Sequence, residues 1–189
     1  RKFPVFEFDK PCIWVHCASL GEFEQGRPVI EALKKNYPQY PIVLSFFSPS
    51  GYEIRKNFPG ADKVIYLPVD SHRNAAKLIN AMNPAIVFWV KYEYWYHYLS
   101  ALQQRKIPVV LVSGIFRESQ PFFTWYGGIW KKMLAGFHQI FVQNESSLQL
   151  LQSINMHHHA LVAGDTRFDR VTTIANDAEP LPLIEKFIG

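Results

Sequence analysis

The chain has 189 residues, of which 48% are apolar, 19% charged and 15% aromatic, with a formal net charge of +4. That composition excludes a disordered chain, and the length is enough to bury a core without disulfide or metal staples. Lys and Arg are scattered, which excludes a basic nucleic-acid stripe, and no stretch reaches the ~18 consecutive apolar residues of a membrane span.

Short apolar runs rich in β-branched residues alternate with stretches of helical spacing. The first run, Cys12–Cys17, leads to a predicted helix over Arg27–Asn36, where Val29, Ile30 and Leu33 form the stripe of a helix lying on a sheet. Ile42–Phe46 leads to Gly51–Asn57, Val64–Leu67 to His72–Met82, and Ala85–Val90 to Trp95–Gln104. Val109–Ser113 precedes Trp125–Ala135, Gln139–Val142 precedes Ser146–Ile154, and Leu161–Ala163 is the last run. Several runs lack polar alternation, as strands buried on both faces of a parallel sheet do. The pattern predicts a doubly wound α/β fold, a mainly parallel sheet with helices on both faces. Residues 1–176 read as one domain. Residues 177–189, interrupted by Pro180 and Pro182, read as a linker or the start of a further domain, and both chain ends are expected to be boundaries within a longer protein. Cys12 and Cys17 share one run, about 16 Å apart at strand rise, beyond the roughly 7 Å that a disulfide tolerates. They are expected to be buried thiols of a reducing compartment.

In such sheets ligands bind beyond the carboxyl ends of the strands, so the residues closing each run are where chemistry is expected. After the first run comes Ala18-Ser19-Leu20-Gly21-Glu22. Ser19 with Glu22 three residues on fits a capping box, and Glu22 also stands where a general base would take a proton from a sugar hydroxyl. Both readings are open. Ser48-Pro49-Ser50-Gly51 puts small residues at a helix start, where open N–H groups suit an anion or a sugar hydroxyl, or where Ser50 is simply the cap. After the fourth run, Glu93 is a candidate second carboxylate facing Glu22 with Lys91 as its ion-pair partner; an exposed ion pair is the plainer alternative. Arg117 and Arg167, after the fifth and seventh runs, suit bidentate binding of phosphate or carboxylate, while Asp165 and Thr166 also fit a helix cap. No Gly-x-Gly-x-x-Gly follows the first run, which argues against a dinucleotide. His157-His158-His159 reads as a turn and no metal is expected, because adjacent side chains point apart.

Taken in order, these stretches resemble the 3-deoxy-D-manno-octulosonic acid (Kdo) transferase family. The matching pieces are Ile13-Trp14-Val15-His16 running into Ser19-Leu20-Gly21-Glu22, Ser48-Pro49-Ser50-Gly51, Tyr66-Leu67-Pro68-Val69-Asp70 and Glu93-Tyr94-Trp95. Arg117-Glu118-Ser119, Val142-Gln143-Asn144 and Gly164-Asp165-Thr166-Arg167-Phe168-Asp169 complete the set. The resemblance implies the Rossmann-like, acceptor-binding amino-terminal half of a GT-B glycosyltransferase. Such an enzyme transfers Kdo from CMP-Kdo to a lipid A precursor with inversion and without a metal. It implies Glu22 as catalytic base, with Ser19, Gly21, Ser48, Ser50, Gly51, Glu93, Arg117 and Arg167 at the acceptor. It also implies a setting at the cytoplasmic face of the bacterial inner membrane, no organic cofactor, and inactivity of this half alone. One departure is visible: where the family commonly has Glu-x-Glu-Leu-Trp-Pro-Asn, this chain has Lys91-Tyr92-Glu93-Tyr94-Trp95-Tyr96-His97, leaving one carboxylate of two. The segment Pro121 to Leu134 mixes aromatics with Lys131 and Lys132; it fits either a membrane-surface element or a core helix packing Trp130 and Leu134 on the sheet. Two other functional readings are an anionic-lipid-binding module and a nucleotide-binding domain of a different α/β enzyme.

Overall fold

A computed structural model describes residues 3–91 and 94–166. Its centre is a parallel seven-stranded sheet: β1 (Cys12–His16), β2 (Ile42–Phe46), β3 (Lys63–Tyr66), β4 (Pro84–Val90), β5 (Val109–Gly114), β6 (Gln139–Val142) and β7 (Ala160–Val162). Their spatial order is β3-β2-β1-β4-β5-β6-β7. The chain winds outward from β1 to β3, then crosses back to lay β4 on the other side of β1. The doubly wound class is therefore as expected. The proposed boundary after residue 176 lies outside the described residues.

Six helices connect the strands among the described residues: α1 (Leu20–Asn36), α2 (Pro49–Arg55), α3 (His72–Met82), α4 (Tyr96–Gln104), α5 (Gly128–Ala135) and α6 (Glu145–Ser153). All five residues of β1 are buried. Their alternating side chains divide between two cores, which is why the run shows no polar alternation. Trp14 joins Trp89, Tyr98, Leu78, Leu102 and Leu134 under α3 to α6, while Val15 joins Phe23, Ile30, Leu44 and Phe46 under α1. Trp14 meets Trp89 and Tyr98 edge to face, at 5.4 and 5.9 Å between centroids.

Helix starts follow local chemistry with instructive shifts. The first helix begins at Leu20, not Arg27, because Ser19 caps it and its first turns bury Glu22, Phe23, Gln25 and Gly26. Gly26 permits this; a Cβ there would sit 3.0 Å from Cys17 Sγ and 3.1 Å from Val90 Cγ2. The second helix is capped by Ser48 rather than Ser50: Ser48 Oγ accepts the Ser50 N–H at 3.3 Å. The fifth helix starts at Gly128, after a 3-10 turn over Pro121–Phe123, because the Gly127-Gly128 pair is a poor helix former. Asp70 is structural. Its two carboxylate oxygens accept the N–H groups of His97 and Tyr98 at 3.1 and 3.2 Å, closing the start of α4, whose own cap residue Trp95 offers no side-chain bond.

Both cysteines are free and buried, as expected, and burial pushes the Cys12 thiol up to about 12. His16 is a buried polar residue within the sheet. Trp14 Nε1 donates to Ser45 Oγ at 2.7 Å, and His16 Nδ1 lies 2.8 Å from the same hydroxyl. Burial keeps the imidazole neutral, its ring 4.5 Å from that of Trp89.

Two outcomes follow from this packing. A Cβ at Gly51 would run into the buried Phe46 ring, so Gly51→Ala should destabilise the protein by about 1–3 kcal/mol, read as a lowered urea midpoint at unchanged slope. Burial, opposed by the bond to Ser45, pushes His16 down to about 3 from 6.5. The unfolded chain then binds a proton that the folded one refuses, so stability is full above pH 6.5 and falls as pH drops toward 3. Its share is about 1.4 kcal/mol per pH unit in that window, and His16→Asn should flatten the slope of urea-unfolding free energy against pH by that amount. Equal slopes would contradict the burial of a neutral imidazole.

Candidate active site at the carboxyl edge of the sheet

The first and fourth strands are neighbours whose onward connections leave in opposite directions, which makes the gap beyond their carboxyl ends the topological switch point of the sheet. The Ser19–Glu22 turn stands at that gap. Ser19 Oγ accepts the Glu22 N–H at 3.4 Å, and Glu22 Oε2 accepts the Ala18 N–H. A reciprocal capping arrangement is thus present, but the return bond reaches Ala18 rather than Ser19. It leaves Glu22 8% exposed and close enough to Cys17 that, after burial, its charge is the second cause raising that thiol. Gly21 is exposed, and a Cβ placed on it would meet nothing within 4 Å.

The second-strand loop is tied to this turn. The Ala18 carbonyl accepts the N–H groups of Phe47 and Ser48 at 3.2 and 2.7 Å, so the backbone of the single residue Ala18 joins Glu22 to the start of α2. Ser48 and Ser50 place their hydroxyls 2.8 Å apart on the outside of that start. Gly51 points inward, and its buried position against Phe46 serves packing. The structure therefore brings Ser19, Gly21, Glu22, Ser48 and Ser50 to one rim.

The fourth-strand loop closes the other side. Trp95 lies 4.6 Å from Phe47, and Tyr94 lies 4.7 Å from Phe122, centroid to centroid, so the aromatic run packs one loop on the next. Lys91 ends β4 with a left-handed φ of 66°. Glu93 and Arg167 lie outside the described residues. Arg117 is exposed in the loop after β5; its backbone N–H is held by Gln120 Oε1 at 3.0 Å, and no bond among the described residues ties its guanidinium to the Glu22 turn. Beside Phe47 and Pro49, a cleft of about 960 Å³ runs along the β3 edge, lined mainly by apolar side chains including Val5, Tyr52, Leu67 and Val69.

A polar chain beneath the rim was not legible in the sequence. Gln143 Nε2 donates to Ser113 Oγ at 2.9 Å and to Gln25 Oε1 at 3.3 Å, and Ser113 Oγ lies 3.4 Å from Thr166 Oγ1. Val142-Gln143-Asn144 was visible as a stretch, but nothing local pairs residue 143 with residue 25. Among the described residues no group of three His, Cys, Asp or Glu side chains is placed to hold a metal, and the three histidines 157–159 lie in the turn before β7.

The fifth helix and the turn that leads into it divide between core and surface. Trp130 packs 5.8 Å from Phe122 and Leu134 is buried, as a core helix requires, while Trp125, Tyr126 and Ile129 are 95%, 62% and 50% exposed. No helix among the described residues is long and apolar enough to cross a membrane.

Among solved structures the fold is similar to a putative UDP-N-acetylglucosamine 2-epimerase from Listeria monocytogenes, with TM-score 0.67 and 15% identity over 95% of this chain and 52% of that one. It is also similar to the UDP-GlcNAc 2-epimerase from Neisseria meningitidis, with TM-score 0.66 and 16% identity over 89% of this chain and 50% of that one. These likenesses establish the fold. In sequence, a bifunctional glycosyltransferase/methyltransferase of Fusobacterium nucleatum is 26% identical over 77% of this chain and 23% of its own length. The 3-deoxy-D-manno-octulosonic acid transferase of Haemophilus influenzae is 29% identical over 53% of this chain and 24% of its own, and that of Bordetella pertussis is 24% identical over 83% and 38%. The chain thus spans well under half the length of these relatives. The profile of the family described as 3-deoxy-D-manno-octulosonic-acid transferase (kdotransferase) matches residues 2–170, and the chain belongs to that family.

Proposed function

We propose that this chain is the acceptor side of an inverting glycosyltransferase that moves Kdo from CMP-Kdo to a lipid A precursor in lipopolysaccharide biosynthesis, with Glu22 as the general base. The observation that carries the reading is the position of the Ser19–Glu22 turn at the switch point, with open space in front of Gly21. In the reaction, the acceptor hydroxyl oxygen bonds to the anomeric carbon of Kdo as its proton passes to the Glu22 carboxylate. The bond from that carbon to the phosphate oxygen of CMP breaks, and CMP leaves with the electron pair. The N–H groups at the start of α1 favour an ionised carboxylate, and the bond from Ala18 N–H aims it. Ser19, Ser48 and Ser50 are placed to bind acceptor hydroxyls. Arg117, with Glu93 and Arg167 from outside the described residues, is assigned to the acceptor's polar and phosphate groups. Gly21 leaves room for the sugar, and Gly51 keeps the Ser48–Ser50 turn in place. The apolar cleft beside Phe47 suits an acyl chain. CMP-Kdo is assigned to a second half, outside these residues.

The exposed face formed by Trp125, Tyr126 and Ile129, with Lys131 and Lys132 on α5, is assigned to the anionic membrane surface at the cytoplasmic face of the inner membrane. Aromatic rings and ammonium groups together match the headgroup level, where a lipid acceptor presents its sugar.

Each assignment has a test. In the full-length protein, Glu22→Gln keeps an oxygen for the Ala18 N–H but loses basicity, so Kdo transfer should fall by about 10²–10⁴ with the melting temperature unchanged. Glu22→Ala should lose both activity and thermal stability; a Glu22→Gln enzyme with most of its turnover would eliminate the base assignment. In flotation assays the protein should bind vesicles containing anionic phospholipid, and Trp125→Ala should weaken binding roughly tenfold, as removal of one buried aromatic side chain implies. Indifference to that substitution would place the membrane contact elsewhere.

A further inference from the structure

Ser113 is a serine in the left-handed region, with φ of 60°, inside a parallel strand. A residue with a Cβ is strained there and persists only where its surroundings hold it. Strand pairing slips at the same point. Leu111 pairs with Ile140 and Gly114 with Val142, so Val112 and Ser113 together oppose the single residue Phe141. Bulges of this kind re-aim a side chain at the rim of a sheet. Here the one re-aimed is Ser113, whose Oγ receives Gln143 Nε2 at 2.9 Å. The main chain of Gln143 is pinned to the same bulge, its N–H donating to the Gly114 carbonyl at 2.9 Å.

The second hydrogen of the Gln143 amide goes to Gln25 Oε1 at 3.3 Å, across 118 residues of sequence. Gln25 is 1% exposed and lies on α1, one turn after Glu22. Residues three apart on a helix share a face, so whatever fixes Gln25 about the helix axis also fixes the direction from which Glu22 leaves the helix. At Gly26 the helix sits close to the sheet, and Phe23 and Ile30 pack in the core beneath it. A hydrogen bond is directional, and a buried amide left without one is costly. The polar link therefore adds a directional tie to the helix beside the packing of Phe23 and Ile30 and the Glu24–Arg55 ion pair.

We infer that Gln143 is a positioning residue for the transfer reaction: held by the bulged Ser113, its amide locks α1 through Gln25 and keeps Glu22 on the crevice. The inference rests on the reading of Glu22 as base. The experiment is a double-mutant cycle in the full-length enzyme, measuring Kdo transfer from CMP-Kdo for Gln143→Met, Glu22→Gln and the two combined, with melting temperatures alongside. Methionine keeps the volume and removes the donor. Gln143→Met should lower kcat by about 10- to 100-fold, as a displaced catalytic group does, with the acceptor KM within about twofold. In the Glu22→Gln background the same substitution should cost nothing further, because it acts only through Glu22. Additive losses, or a Gln143→Met enzyme with normal kcat, overturn the inference while leaving Glu22 as base. An active Glu22→Gln enzyme removes the base reading itself, and this inference with it. If Gln143→Met lowers the melting temperature, Ser113→Gly, which suits the left-handed backbone and removes the hydroxyl, replaces it in the cycle with the same expected non-additivity.

Discussion

The seat of α1 against β1 and β4 is the constraint on which the candidate site depends. At Gly26 the helix comes so near the sheet that a single methyl group would press on Cys17 Sγ and Val90 Cγ2. This closeness lets the helix begin directly after β1, with Ser19 as cap, instead of after a longer loop. It also places the first turn of the helix over the switch point, the one place along the sheet edge where two connections part. A wider seat would lift Glu22 away from the crevice and away from Ala18.

The capping bond and the proposed catalysis use one geometry. Ala18 donates to Glu22 and accepts from Phe47 and Ser48, so one residue satisfies both of its backbone polar groups while joining two loops of the rim. A helix start already arranged to favour a carboxylate is an economical place for an ionised base. The cap reading and the proposed base reading of Glu22 are compatible with one placement of the side chain. The fifth helix and the turn before it are divided in a similar way, since Trp130 and Leu134 serve the core while Ile129, and Trp125 and Tyr126 in the turn, are exposed.

Buried polarity in this fold is organised around the strand ends. His16 is held neutral by burial among the surrounding rings, with Nδ1 2.8 Å from Ser45 Oγ. Buried Gln25 and Ser113 are joined by the half-buried Gln143 into a second polar set on the opposite side of the switch point. Polar groups at such depth survive only when paired, which makes them directional ties between elements otherwise joined by apolar contact.

What the sequence determined by itself was everything set by neighbours a few residues apart. Unalternating runs such as Cys12–Cys17 marked doubly buried strands, His72–Met82 was bounded correctly, and Ser19 with Glu22 announced a helix start. The family motifs were legible because they lie in these strand-end loops. That the capped turn at Ser19 runs on without a break into the helix over Arg27–Asn36 was not, because Gly26 reads locally as a weak helix position and its reason lies in Cys17 and Val90. Only the tertiary structure decided that β4 returns beside β1, that Ser113 is turned by a bulge, and that Gln143 meets Gln25. Local propensities act over about one turn of helix or one strand pair. Which distant elements become neighbours depends on the packing of the whole core, which no short stretch of sequence specifies.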